Sequence, residues 1–434
     1  MEATEDAQAG AKSAKLVKTA STLIAGGLTA SFTSADAAFE AGDARLGHQL
    51  PVFAKGRGAR LWDVDGREYI DYIGADGSMI LGHADDRVVA AISKAAPKGS
   101  AFGAPAELEV RLAELIVGRF SAIDMVRLTA TPAEARQGAA ALARVHTGRP
   151  HVITFDGYRG LATTAENTLL TEAGRAPAYN DTDGVADLFH RSGSTVAAVV
   201  VEPVGVSDGL MLPADRFLKT LRTLCDAHGA LLVFDETVTG LRISADSVGS
   251  VFGVAPDLTI LGPLIGGGLP LGAFGGTKTL MRRAGGDLAC NTATGVPGTR
   301  SLIAMAAGVA TLQAIGEPGF YEALSTAAGR LHEGFASAAA RAGVATQQTC
   351  VGSLVGLSFP QEHSEDAARA RPGEGPAFTE FFTAMLERGV LLPPSPRSCI
   401  FVSTAHTDED VNRTIEAAQE AFSLMGMAST SSTG

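Results

Sequence analysis

The sequence predicts an α/β protein: a large domain on a mostly parallel sheet covered by helices, with a smaller α+β domain. Three observations carry that prediction. Short apolar runs alternate with helical stretches through the middle of the chain, and the pattern changes near Gly319. The chain's 434 residues are also enough for two or three domains with a sizeable core. The expected boundaries are 1–75 for an N-terminal segment and hairpin contributing to the small domain, 76–318 for the large domain, and 319–434 for the C-terminal small domain.

RLWDVDGREYIDYI (60–73) is two alternating runs around Asp65-Gly66, the signature of a hairpin. AELEVRLAELIVGRF (106–120) has apolar residues at helical spacing. MVRLT (125–129), HVITFD (151–156), VAAVVVEP (196–203), ALLVFDE (230–236) and LTILG (258–262) read as buried strands. EARQGAAALARVH (134–146) and DRFLKTLRTLCDAHG (215–229) read as helices between them. Beyond Gly319, YEALSTAAGRLHEGFASAAARAG (321–343) and DEDVNRTIEAAQEAFSLM (408–425) read as helices, with SLVGLSF (353–359) as a strand and 362–376 as a loop.

Apolar residues make up 46% and charged residues 19%, as in a soluble globular enzyme. The net charge of −12, with no basic block, argues against nucleic acid or an anionic membrane as partner. The cysteines (Cys225, Cys290, Cys350, Cys399) are scattered, which fits a reducing cytoplasm and neither a zinc site nor a disulfide framework. LVKTASTLIAGGLTASF (16–32) has some features of a signal peptide, but Lys18, the acids before it and its paired glycines argue against that reading. No apolar run reaches membrane-spanning length.

Ligands of parallel sheets collect at the carboxyl ends of the strands. Several strands here end in polar groups: Glu202 after VVV, Asp235 and Glu236 after LLVF, and Asp156, Tyr158 and Arg159 after HVITF. A carboxylate after an apolar run is costly unless it is paired or faces a polar site, so these acids mark a pocket or cap the following turns. Asp235, Glu236, Tyr158 and Arg159 are the catalytic candidates. Asp76, Ser100, Thr131, Ser207, Arg300, Arg397 and Ser398 are the substrate-binding candidates.

From about residue 20 to 425, the motifs WDVDGREYIDYIG, KGSAFGAP, FDETVTGLR, FGVAPDLTILG, IGGGLPLGAFGG and STAHTDEDV resemble class III (fold-type I) aminotransferases. The resemblance is nearest to the glutamate-1-semialdehyde 2,1-aminomutase group. It implies a fold-type I dimer with its site near the subunit interface, and it makes Asp235 the partner of the pyridine nitrogen of pyridoxal phosphate (PLP). The chain also departs from the family pattern. Pro263 stands where the resemblance places the lysine that bonds the cofactor. Thr131-Pro132-Ala133 replaces the family's Ser-Gly-Thr, so a phosphate cradle would lack an amide and a hydroxyl. The partner-supplied Gly-Thr aligns with Val296-Pro297, or with Gly298-Thr299 if shifted. Thr33 or nothing stands for the substrate arginine, Asp76 for the pocket tryptophan, and Ser398 beside Arg397 for the late glutamate.

The expectation from these departures is a PLP-independent biosynthetic enzyme acting on a small polar or anionic metabolite, with no cofactor and no metal. Two alternatives stand beside it. One is a non-catalytic homologue serving as partner subunit or ligand sensor. The other binds PLP or pyridoxamine phosphate (PMP) without a Schiff-base lysine.

Overall fold

A computed structural model describes residues 10–25, 28, 51–158, 160–161, 168–172, 174–285, 301–360 and 376–431. The chain forms two compact units. A terminal unit comprises Met1–Asp76, Ile80–Asp85 and Ala323–Gly434, and a central unit comprises Gly77–Met79 and Asp86–Glu322.

Helix α1 (Ala11–Leu23) opens at Gly10 with no side-chain cap of its own. Asp65 supplies one from a distance, accepting from the amides of Lys12 and Ser13 and from the Ser13 hydroxyl at 2.7–3.0 Å. The described part of the segment with signal-peptide features therefore begins as a docked helix. Strands β1 (Phe53–Arg57), β2 (Arg60–Asp63) and β3 (Glu68–Asp71) pair antiparallel. The β2–β3 hairpin turns at Asp65-Gly66, where Gly66 takes a φ of 93°.

The central unit follows: α2 (Asp86–Ala95), α3 (Glu107–Val117), β4 (Met125–Thr129), α4 (Pro132–Thr147), β5 (His151–Ile153), α5 (Thr182–Ser192) and β6 (Val196–Val201). It continues with α6 (Phe217–His228), β7 (Leu231–Glu236), α7 (Val248–Phe252), β8 (Leu258–Leu261), β9 (Gly272–Gly276), α8 (Lys278–Met281) and α9 (Leu302–Ala314). Its sheet has the order β4-β9-β8-β7-β6-β5. Strands β5 to β8 run parallel, while β9 runs antiparallel to both β4 and β8. The expected mostly parallel sheet is thus present.

Both faces of the sheet are covered. On one, the alanines of α4 pack on Val152, Ala198, Val233, Ile260 and Phe274. On the other, Leu188, Phe189, Phe217 and Leu221 of α5 and α6 pack on Val199, Leu232 and Phe234. Each fully buried side chain of this size contributes about 1.5–3 kcal/mol. The α4 packing is close: a methyl group on Gly138 would lie 2.5 Å from the Phe274 ring.

The C-terminal segment supplies α10 (Phe320–Ala342), β10 (Gln347–Val351), β11 (Leu354–Ser358), α11 (Pro376–Glu387), β12 (Val390–Leu391), β13 (Ile400–Phe401) and α12 (Asp408–Ser431). Strand β12 joins β3 in parallel, while β10, β11 and β13 form a second, antiparallel sheet. The core of this unit is aromatic, with Phe381 stacked on Phe422 at 4.5 Å. Among the described residues, no helix is long and apolar enough to cross a membrane.

Candidate functional site

The polar groups of the central unit concentrate at the carboxyl ends of β5, β6 and β7. Successive strand residues point to opposite faces. Val233 of β7 packs among the α4 alanines, so Asp235, two residues on, faces the α4 side while Phe234 and Glu236 face the other.

Asp235 is buried with its side chain 0% exposed, and its charge is met by three donors. Arg136 of α4 donates Nε to Asp235 Oδ2 at 2.6 Å, and the Tyr158 hydroxyl donates to the same oxygen at 2.6 Å. Oδ1 accepts the Thr237 amide at 3.0 Å. Arg136 also donates Nη2 to the Thr237 hydroxyl. The network is held from behind: a methyl group on Gly262 would lie 2.6 Å from Thr237 Cβ, so the β8 rim presses on the residue that fixes the guanidinium.

The electrostatics follow from this geometry. Burial opposes the charge of Arg136, but Asp235 and then Tyr158 outweigh it and raise the guanidinium pKa. Burial, reinforced by the Asp235 charge and hydrogen bond, pushes the Tyr158 phenol well above its ordinary value. Tyr158 therefore remains a donor.

Glu202, at the end of β6, lines a small pocket with Phe155, Tyr158, Tyr179, Ser207 and Met211. Its carboxylate accepts the amides of Val206 and Ser207 at 2.9 and 3.1 Å and the Ser207 hydroxyl at 2.6 Å. Burial, with the nearby Asp235 charge second, pushes Glu202 up to about 7. Ser207 thus stands at the rim, but as a partner of Glu202.

Two candidate residues are committed to local structure. Glu236 lies on the opposite side of β7 from Asp235, accepting the Ser247 hydroxyl and the Val248 amide at the start of α7. It does not share the Arg136 network. Burial pushes it up to about 7 as well. Thr131 caps α4: its hydroxyl accepts the Glu134 amide at 3.2 Å, while Glu134 Oε2 reaches back to the Ala130 amide at 3.2 Å. Pro132 at the first helical position brings no N–H.

Pro263 opens a short 3-10 turn, Pro263–Gly266, directly after β8 and Gly262. Lys278 is no substitute for an amine there. Leu261 at the carboxyl end of β8 pairs with Ala273, and Gly276 pairs with Leu258, so β9 carries Lys278 beyond the far end of β8.

The remaining candidates are dispersed. Ser100 accepts the Leu302 amide through its backbone carbonyl at 2.9 Å. Asp76 (φ 53°), Arg397 and Ser398 belong to the terminal unit. Arg397 is buried there, which lowers its pKa. Arg159 and Arg300 lie outside the described residues, as do Thr33 and the 296–299 stretch.

The residue that sequence reasoning missed is Arg136. It sits in what reads as an ordinary helix, yet Ala140 and Ala143, four and seven positions on, are fully buried. In the sequence the alanines and glycine of 138–143 mark no single face, so only the observed burial of Ala140 and Ala143 sets its stripe apart.

A model of the family "Aminotransferase class-III" matches residues 43–422. Glutamate-1-semialdehyde 2,1-aminomutase of Desulforudis audaxviator is 43% identical over 396 residues, covering 85% of this chain and 90% of that protein. Among solved structures, the FumI protein of Sphingopyxis sp. MTA144, in its PLP internal aldimine form, is 29% identical with a TM-score of 0.79. That match covers 96% of this chain and 97% of the other. A transaminase with PLP bound is 25% identical with a TM-score of 0.80, covering 96% and 99%. These findings overturn the expectation that no cofactor belongs here, because the chain's structural neighbours hold PLP in this fold. Departures at Pro263 and Pro132 were too narrow a basis for excluding one.

Proposed function

The chain belongs to the class-III aminotransferase family, and from that premise we propose an aminomutase-type enzyme that holds PLP or PMP non-covalently and acts on a small polar or anionic metabolite. Its site is the carboxyl rim of β5 to β7. The observation that carries this reading is the Asp235–Arg136–Tyr158 cluster, a buried acid, a cation and a phenol gathered at one strand end.

A lysine-linked cofactor does not fit at Pro263, which has no amine. A non-covalent one suits the donor set. Asp235 Oδ1 accepts only the Thr237 amide among the described residues, and because the side chain is 0% exposed, a ring nitrogen would reach it only with Arg136 or Tyr158 moved aside. Tyr158 offers an aromatic face, and Arg136 a cation for an anionic group. When bound, PLP or PMP would supply an amino-group carrier. The protein's own part is to orient and to hold protons. Asp235 fixes Arg136 and Tyr158 through one oxygen, and Tyr158 keeps its proton. Glu202, pushed up to about 7, gains or loses a proton near neutral pH beside Tyr158. We also propose that two copies assemble, as the family resemblance implies.

Absorbance titration of the purified protein with PLP and PMP, followed by borohydride reduction and intact mass, tests the reading. Saturable binding with no mass adduct after reduction is the expected result. A reduced adduct on a lysine would refute non-covalent holding, and no binding of either compound would refute the assignment.

A further inference from the structure

Arg136 has a feature that a self-contained ion pair lacks. A guanidinium carries five N–H donors. One Arg136 Nε–H goes to Asp235 and one Nη2–H to Thr237, while Nη1 has no hydrogen-bond partner among the described residues. The side chain is 19% exposed against 0% for Asp235, and the unbonded Nη1 is not fully buried, so the fork is anchored through Nε and Nη2 and open at Nη1. Asp235 does not depend on this cation alone, since Tyr158 and the Thr237 amide also donate to it. The arrangement fixes a planar cation at the strand end with its remaining donors pointed away from its anchors. That suits bidentate recognition of an oxyanion, where a fixed fork loses less entropy than a mobile lysine.

We propose that Arg136 is the oxyanion-binding residue of the rim site, buttressed by Asp235 and Thr237 so that its open edge takes a ligand carboxylate or phosphate. This rests on the reading that the rim is the ligand site. The ligand class is a small molecule bearing a carboxylate or phosphate group, either the substrate's own acid or a cofactor phosphate.

The test is calorimetric titration of the wild-type protein, Arg136→Gln and Arg136→Lys with inorganic phosphate, glutarate, PMP and pyridoxamine. Pyridoxamine shares the ring of PMP but lacks its phosphate. Binding of at least one oxyanion, weakening with added salt, is expected for the wild type. Arg136→Gln should bind that oxyanion at least about tenfold more weakly, and Arg136→Lys should show an intermediate loss, while pyridoxamine is unaffected. Circular dichroism establishes that the variants fold. Arg136→Lys keeps a charge for Asp235, so it carries the test should Arg136→Gln not fold. A loss for phosphate and PMP alone assigns the site to a phosphate, and a loss for glutarate alone to a substrate carboxylate. Unchanged oxyanion binding in the variants would overturn the proposal. So would tighter PMP binding in Arg136→Gln, which would make the arginine a plug over Asp235, or no oxyanion binding by the wild type at about 10 mM. Failure of PMP alone, with Arg136-dependent glutarate binding, would sink the cofactor reading and leave Arg136 as the receptor. Tight PMP binding that ignores Arg136 would do the reverse.

Discussion

Asp235 and Glu236 are neighbours on one strand, equally buried at 1% exposure, yet the two faces of β7 put them to different work. Asp235 meets a guanidinium and a phenol from α4 and from the segment after β5, along with the Thr237 amide. Glu236 meets a hydroxyl and an amide at the start of α7, part of the helix it caps. Burial shows that an acid must be compensated, and the kind of compensation shows what it is for. Glu236 is held by the cap of the helix it starts, whereas Asp235 holds a guanidinium that has donors left over.

The sharpest way to break the contrast is Asp235→Ala. It leaves Arg136 mostly buried without its counter-charge, and removing one partner of such a pair costs about 3–5 kcal/mol. Urea unfolding should show that loss, and oxyanion binding should fall with it as the fork is released. A loss under about 1 kcal/mol would mean that the guanidinium simply swings to solvent and is not anchored.

Glu236→Gln probes the other face, and its signature is pH dependence. Burial raises Glu236 from its ordinary 4.5 to about 7. Below pH 4.5 the carboxyl is protonated in folded and unfolded chains alike. Between 4.5 and 7 the unfolded chain ionises first, so the contribution of Glu236 falls as pH rises, by an amount on the order of 3 kcal/mol, and levels off above 7. Glu202 contributes a loss of the same sign over the same window. Glu236→Gln should therefore flatten part of the decline and leave the variant at least as stable as wild type at pH 8. A wild-type profile that rises from pH 5 to 8, with Gln less stable at pH 8, would show that the α7 amides favour the charged form.

The sequence made one half of this contrast visible and hid the other. A carboxylate closing an apolar run, as in LLVFDE and VVVEP, announces a buried acid at a strand end. Alternation puts Asp235 and Glu236 on opposite faces, but which face meets α4 depends on helices that are distant in sequence. Grouping both acids as catalytic candidates ignored that alternation. Arg136 was hidden because helical charges are usually solvated, and only the burial of Ala140 and Ala143 distinguishes its stripe. Thr131, a substrate-binding candidate from the sequence, is instead the cap of a helix that starts at Pro132, two residues before the expected 134. The strands β5 to β8 were legible from their apolar runs. The antiparallel return of β9 is a matter of pairing, which composition does not encode.

Two smaller substitutions test whether single donors behave alike on the two faces. Tyr158→Phe removes one donor from Asp235 but leaves Arg136 and the Thr237 amide in place. It should cost about 1 kcal/mol with the fold intact, and it should leave glutarate or phosphate binding within about threefold, because the open edge of Arg136 is untouched.

Ser247→Ala removes one donor from Glu236 and, with it, the cap whose hydroxyl accepts the Gly249 amide at 3.2 Å. The cost should again be about 1 kcal/mol near neutral pH, the usual worth of a cap. The pH profile separates the two faces. The Ser247 hydrogen bond holds the Glu236 pKa down against burial, so its loss should move the end of the stability decline above pH 7. Stability profiles of Ser247→Ala and Ser247→Ala/Glu236→Gln, measured by urea unfolding from pH 5 to 9, decide it. If Glu236 is a structural joint, the upward extension appears in the single variant and vanishes in the double, and neither changes oxyanion binding. An effect of Ser247→Ala on that binding would connect the two faces of β7 and remove the distinction drawn between them.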